Sequence, residues 1–165
     1  MPEETLRHVA FCPGSYDPIT NGHLDIIRRA AQMLGRVIVG VAAEAQKEHL
    51  FALEERLAMV CEVCADIERV EVQSFTGLLV EAAHQAGATI LVKGLRQPFD
   101  LSNEGPMAYM NRSLRPEIET VFLLSSPEYT YVSSSLIKWV CRMGGDVSAH
   151  VPPAVMKKLI AKLRG

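Results

Sequence analysis

The chain has 165 residues, 48% of them apolar and 22% charged, and its 17 Lys and Arg against 19 Asp and Glu give a formal charge of −2. A single domain of this length buries roughly 70% of the surface its unfolded chain exposes, so one core spanning residues 1–165 is expected, without disulfides or structural metal. The near-neutral balance excludes the broad basic field of a nucleic-acid binder, although a local cluster of cations around a small phosphorylated ligand stays open.

No stretch approaches the roughly 20 apolar residues that cross a bilayer, so no membrane partner is expected. The longest uncharged apolar run covers residues 37–43. Residues 1–8 carry two glutamates and nothing like the apolar run of a signal peptide, which predicts a cytoplasmic protein.

In chain order, valine- and isoleucine-rich runs over residues 8–12, 37–43, 70–73, 89–92 and 120–124 predict strands. Their apolar residues do not alternate strictly with polar ones, as suits strands covered on both faces. Helical spacing fills the gaps: Leu24, Ile27, Ala31 and Leu34, then Leu53, Leu57, Val60 and Cys64, then Leu79, Val80 and Ala83, and later Leu136, Val140 and Met143. A last helix starts near Pro153, with a stripe of Val155, Leu159 and Ile160 and basic residues toward its C-terminus. The alternation predicts an α/β, Rossmann-like, doubly wound fold: a five-stranded parallel sheet with helices on both faces. Ligands of such sheets bind beyond the carboxyl ends of the strands, where strand order reverses.

Cys61 and Cys64 share a Cys-x-x-Cys spacing inside a helical pattern, and neither Cys12 nor Cys141 supplies a second pair; buried free thiols are expected, not a metal site. His8, His49, His84 and His150 belong to no motif and read as structural or surface residues.

The loop after the first strand is Pro13-Gly14-Ser15-Tyr16-Asp17-Pro18-Ile19-Thr20-Asn21-Gly22-His23, running straight into a helix. Asn21 is a suitable N-cap, and Gly22 lets a phosphate approach the amides at the positive helix end, where His23 would meet it. Further along stand Lys47, Leu53-Glu54-Glu55-Arg56, Lys93-Gly94-Leu95-Arg96, Met110-Asn111-Arg112, Tyr129-Thr130-Tyr131-Val132-Ser133-Ser134-Ser135 and Lys138. Each has an ordinary reading: serines ahead of a helix cap it, and lysines in polar loops are solvated.

Taken together and in this order, these strings resemble the bacterial phosphopantetheine adenylyltransferases, within the nucleotidyltransferase superfamily that shares Thr/His-x-Gly-His. The resemblance runs nearly end to end. It implies transfer of AMP from ATP to 4′-phosphopantetheine, giving dephospho-coenzyme A and pyrophosphate, the penultimate step of coenzyme A synthesis. It gives His23 the catalytic role, stabilising charge at the α-phosphate. ATP would meet Ser15, Tyr16, His23, Gly94, Leu95, Arg96, Glu104, Tyr129, Thr130, Tyr131, Val132, Ser133, Ser134 and Ser135. The acceptor would meet Ser15, Lys47, Leu79 and Lys93. Mg2+ is implied, bound mainly through substrate phosphates and not by a protein cage. A homohexamer and coenzyme A as an inhibitor are likewise implied.

The chain departs from the resembled pattern in three places. It reads Asp100-Leu101-Ser102-Asn103-Glu104-Gly105-Pro106 where the family usually shows Asp-Phe-Glu-Tyr-Glu-x-Gln, and Gly105 with Pro106 predicts a helix delayed or restarted at Pro106. Lys93 stands where many relatives carry Arg, keeping the charge without the two-pronged hydrogen bonding. Trp139 replaces a usual glutamate near the pantetheine arm and is expected to pack, not to stack on a base. Two other readings stay open: the same chemistry on another acceptor, such as nicotinate mononucleotide or glycerol phosphate, and a catalytically silent nucleotide-binding module.

Overall fold

The computed structural model describes residues 8–44 and 48–165. Strands β1 (His8–Gly14), β2 (Gly35–Ala42), β3 (Val70–Phe75), β4 (Ile90–Leu95) and β5 (Glu119–Leu124) form a parallel sheet ordered β3-β2-β1-β4-β5. The five expected strands are all present, with most running further than the apolar runs alone suggested. The helices are α1 (Asn21–Leu34), α2 (Leu53–Cys64), α3 (Leu79–Gln85), α4 (Pro98–Leu114), α5 (Ser134–Arg142) and α6 (Pro153–Arg164).

Alternation along β1 sorts the core into two layers. Ala10 and Cys12 face a cluster containing Ile27 of α1, Met59 of α2, Ile137 of α5 and Leu159 of α6. Phe11 faces the other way, onto Ile38, Leu91 and the α3 residues Val80 and Ala83. On that side Met107 and Ala108 of α4 share a narrow crevice with Leu91. Each large side chain wholly removed from water, such as Ile27 or Leu159, contributes roughly 1.5–3 kcal/mol.

The chain moves outward from β1 through β2 to β3, then crosses back to lay β4 on the other side of β1. Strand order therefore reverses between β1 and β4, and the loops leaving Gly14 and Leu95 flank the resulting crevice.

Several sequence expectations are corrected. Thr20, not Asn21, caps α1: its hydroxyl accepts from the His23 amide, and Asn21 is already helical, its side chain donating to the Ala149 carbonyl. Helix α4 does not restart at Pro106 but runs unbroken from Pro98 through it. The start is fixed upstream, where the Asp100 carboxylate accepts from the amides of Arg96 at 2.8 Å and Gln97 at 3.1 Å, and Pro98 occupies the first turn. A proline at 106 then removes one internal hydrogen bond without ending the helix. Trp139 is not packed: it is 59% exposed on the outer face of α5. Cys64 is buried as expected, but Cys61 is exposed on the solvent side of α2.

Candidate active site

An open cavity of ≈ 770 Å³ occupies the crevice where strand order reverses. Ser15 and Tyr16 from the loop after β1, His23 from α1, Lys93 and Gly94 from β4, Arg96 just beyond it and Glu104 from α4 all line it. Tyr129, Val132, Ser133, Ser134 and Ser135 close the opposite side. Segments separated by more than a hundred residues thus converge on one wall-to-wall array of cations, hydroxyls and helix-start amides.

His23 sits at the third position of α1, where capping boxes usually place Glu or Gln. The main-chain amide of Thr20 donates to its Nδ1 at 3.0 Å, and the Thr20 hydroxyl lies 3.2 Å from the same nitrogen. An amide can only donate, so Nδ1 is the acceptor and the ring proton resides on Nε2. Burial, followed by the charge of Arg96, pushes the His23 pKa down to about 4. The ring presented to the pocket is therefore a neutral imidazole with Nε2–H as a donor. Tyr16 holds it from the side, ring centroids 5.1 Å apart and edge-on at 72°, while the Tyr16 hydroxyl donates to the Cys12 carbonyl at 2.9 Å. Tyr16 itself adopts a left-handed φ of 49°, a conformation most non-glycine residues avoid.

Lys93 and Arg96 each lie beside a carboxylate, Glu104 and Asp100 respectively. Lys93 Nζ lies 3.1 Å from Glu104 Oε2. Arg96 donates to the Val132 carbonyl at 3.1 Å, which bridges the end of β4 to the serine segment. Gly94 has a packing reason of its own: a Cβ there would stand 3.0 Å from Ile26 Cγ1, so a glycine lets β4 lie close against α1. At the head of α5, Ser133 accepts from the Leu136 amide at 3.1 Å as N-cap. The hydroxyl of Ser134 donates to the Pro18 carbonyl at 2.8 Å, so Ser134 meets a ligand through its amide, not its side chain. The amides of Ser134 and Ser135 lie in the first helical turn, where no carbonyl four residues back is available to them.

Asp17 lines the same cavity and is nearly inaccessible to water. Its carboxylate accepts from the amides of Leu50 and Phe51, both at 2.9 Å, and from Lys138 Nζ at 2.7 Å. Burial would raise its pKa, but the Lys138 hydrogen bond and the two amides outweigh it and hold the group below the ordinary aspartate value.

Other expected residues lie elsewhere. Leu95 is buried and, like Thr130 and Tyr131, does not line the cavity; the Tyr131 ring packs edge-on against His150 at 5.6 Å. Leu79 lines the neighbouring crevice beside Lys93, Glu104 and Asn111. Lys47 lies outside the described residues. The cavity also includes residues that the sequence reading passed over, among them Asp17, Ser125 and His49. His49, read from the sequence as a structural or surface residue, lines the cavity. A histidine in a polar loop carries no local signal of the wall it will face; Asp17, inside the most distinctive loop of the chain, did carry one.

A family model described as cytidylyltransferase-like matches residues 11–140. The phosphopantetheine adenylyltransferase of Geotalea daltonii is 47% identical over 154 residues, covering 93% of this chain and 96% of its own. Those of Nocardioides sp. and Moorella thermoacetica are 52% and 48% identical over the same shares. Among solved structures, the lipopolysaccharide core biosynthesis protein from Thermoplasma volcanium GSS1 superposes with a TM-score of 0.52 over 72% of this chain and 96% of that one. At 18% identity, this likeness is one of fold.

Proposed function

The chain belongs to the cytidylyltransferase-like family and, within it, to the phosphopantetheine adenylyltransferases, and from this premise we propose that it transfers AMP from ATP to 4′-phosphopantetheine, the penultimate step of coenzyme A synthesis. Residues 1–165 act in this reading as one nucleotidyltransferase domain.

A phosphate oxygen of the acceptor attacks the α-phosphorus of ATP in line. The new P–O bond forms as the bond to the β-phosphate bridge breaks, and dephospho-coenzyme A and pyrophosphate leave. A phosphate monoester loses its second proton near pH 6, so at neutral pH the nucleophile is already largely a dianion and needs no general base. That matches the state of His23. The neutral ring donates Nε2–H to an α-phosphate oxygen whose charge grows in the transition state, and no proton changes hands. This donor, fixed on its far side by the Thr20 amide, is the observation that carries the proposal.

Around it, Ser15 hydrogen-bonds both substrates, and Lys93 and Lys47 hold the acceptor phosphate, with Leu79 along the pantetheine arm. Arg96 and the first-turn amides of α5 receive the β- and γ-phosphates. Tyr16, Gly94, Glu104, Tyr129 and Val132 complete the nucleotide side. Holding both polyanions in line supplies much of the rate gain, because it removes the entropy cost of their encounter.

A divalent metal fits this pocket as part of the nucleotide. Asp17 is engaged by Lys138 and two amides, Glu104 by Lys93, and among the described residues no three His, Cys, Asp or Glu side chains converge on a metal position. Mg2+ would be held by the phosphate oxygens themselves, where it neutralises their charge. No helix among the described residues is long and apolar enough to cross a membrane. A cytoplasmic homohexamer inhibited by coenzyme A completes the reading; sedimentation velocity tests the assembly.

Pyrophosphate release from ATP and Mg2+ is the deciding assay, with 4′-phosphopantetheine or nicotinate mononucleotide as acceptor. Turnover is expected with phosphopantetheine alone. His23→Ala should lower it about a hundredfold or more, the roughly 3 kcal/mol that one transition-state donor contributes. Wild-type protein that binds ATP yet releases no pyrophosphate with phosphopantetheine would overturn the reading.

A further inference from the structure

Arg56 is a charged side chain that the chemistry above does not use, and it is 1% exposed. Its guanidinium makes no hydrogen bond to a carboxylate among the described residues. It bonds three main-chain carbonyls instead: Nη1 donates to Ser15 and to Ala42, both at 2.8 Å, and Nε donates to Phe51 at 3.2 Å. These carbonyls belong to the loop after β1, the end of β2 and the segment entering α2. One buried cation thus joins three chain segments behind the active-site wall.

The bond to Ser15 has a directional consequence. The Ser15–Tyr16 peptide is trans, the cis bond of this loop being Asp17–Pro18. In a planar trans peptide the carbonyl and the following N–H point in opposite directions. Arg56 is buried and does not line the cavity, whereas Ser15 and Tyr16 do. Fixing the Ser15 carbonyl on the Arg56 side therefore turns the Tyr16 N–H toward the cavity, and that amide has no acceptor among the described residues. The left-handed φ of Tyr16 brings its ring against His23 at the same point.

We propose that Arg56 is a positioning residue for adenylyl transfer: by holding the Ser15 carbonyl from behind, it aims the Tyr16 amide at the reacting phosphates and sets the Tyr16 ring that braces His23. This rests on the adenylyltransferase reading above and adds to it a residue remote from the substrates. A lysine at 56 keeps the charge, but its single nitrogen lacks the planar fork that reaches all three carbonyls.

Arg56→Lys and Arg56→Ala test it by the pyrophosphate-release assay, with urea unfolding to place each variant below its melting midpoint. Arg56→Lys is expected to fold, with kcat at least tenfold lower and both KM values within about threefold of wild type. Millimolar guanidinium is expected to restore part of kcat to Arg56→Ala, with ammonium at the same concentration giving no effect. A role confined to stability changes the folded fraction and not kcat per folded chain. The proposal is overturned by folded Arg56→Lys with kcat within twofold of wild type, by Arg56→Ala that guanidinium does not rescue, or by both variants being unfolded under assay conditions. A wild-type protein without transfer activity would instead remove the reading on which the proposal stands, so the two failures are distinguishable.

Discussion

The Thr20 amide donates to Nδ1 of His23 across 3.0 Å, and this single bond decides which nitrogen of the ring faces the substrates. In the ligand-free protein, nitrogen-15 NMR should find His23 as the Nε2–H tautomer, titrating near pH 4, well below an ordinary histidine. The linkage sign follows. As pH falls from about 6.5, the unfolded chain takes up the proton first, so stability declines between about pH 6.5 and 4 and levels off below. His23→Ala should flatten part of that slope in urea unfolding measured across the interval. A His23 signal titrating above pH 6 would contradict the neutral-donor role.

The Lys93–Glu104 pair, 3.1 Å apart, predicts how acceptor affinity is set. Lys93→Ala should raise the KM for phosphopantetheine about tenfold or more, since a hydrogen bond to a charged group contributes roughly 1.5–3 kcal/mol. The effect should fall mainly on the acceptor, leaving the KM for ATP within a few-fold. Lys93→Arg should keep or tighten acceptor binding through its two-pronged fork. Initial rates with each substrate varied in turn separate these outcomes.

The sheet was legible in the sequence because β1, β2 and β4 are buried on both faces and leave continuous apolar runs. Helices α1 and α5 were legible from their stripes. What the sequence misled on was decided by partners distant along the chain or by competing local signals. Thr20 and Asn21 are both good caps, and Asn21 was drawn into the helix by contacts with Ala149 and His150, more than a hundred residues away. Gly105 and Pro106 suggested a break, but the start of α4 is fixed by Asp100 and the helix propagates past them. Trp139 lies at a position where an aromatic ring suggested packing, yet the face of α5 that carries it is open. The pocket was legible as motifs, while the bonds that hold it were not: the carbonyls that Arg56 joins and the amides that bind Asp17 are main-chain groups, which leave no trace in residue identity.

Gly105 offers a test of the unbroken α4. Outside its chain neighbours and its own helix backbone, a Cβ placed there meets nothing within 4 Å, and the residue lies in the helix interior directly before Pro106. Gly105→Ala should therefore stabilise the protein by no more than about 0.5 kcal/mol, because the restriction of the unfolded chain is partly offset by the clash of the Pro106 ring with a Cβ on the helical residue before it. Thermal unfolding should show a melting point raised by about one to two degrees. Gly40→Ala should do the reverse, because its Cβ would stand 2.3 Å from the Phe11 ring and 3.1 Å from Phe75 in one buried layer; overpacking of that kind costs about 1–3 kcal/mol. A helix broken at Pro106 would leave Gly105→Ala neutral or destabilising.

The Asp17–Lys138 pair predicts the acid limit of the fold. Asp17 has a folded pKa below its ordinary value, so its contribution is fully present above about pH 3.9 and is lost as pH falls through the depressed folded pKa. Lys138→Met removes the strongest of the hydrogen bonds that lower the pKa and leaves a carboxylate that is 4% exposed with amide partners alone. Breaking one side of such a pair costs about 3 kcal/mol near neutral pH. The remaining desolvation then favours the protonated acid, so the acid-unfolding midpoint of Lys138→Met should move to higher pH than that of the wild type. Asp17→Asn in the same background separates charge from shape: with the carboxylate gone, the acid midpoint should move back toward the wild-type value. Circular dichroism followed from pH 7 to 2 for the three proteins measures this, and an unmoved midpoint in Lys138→Met would mean that the two amides alone hold Asp17 ionised.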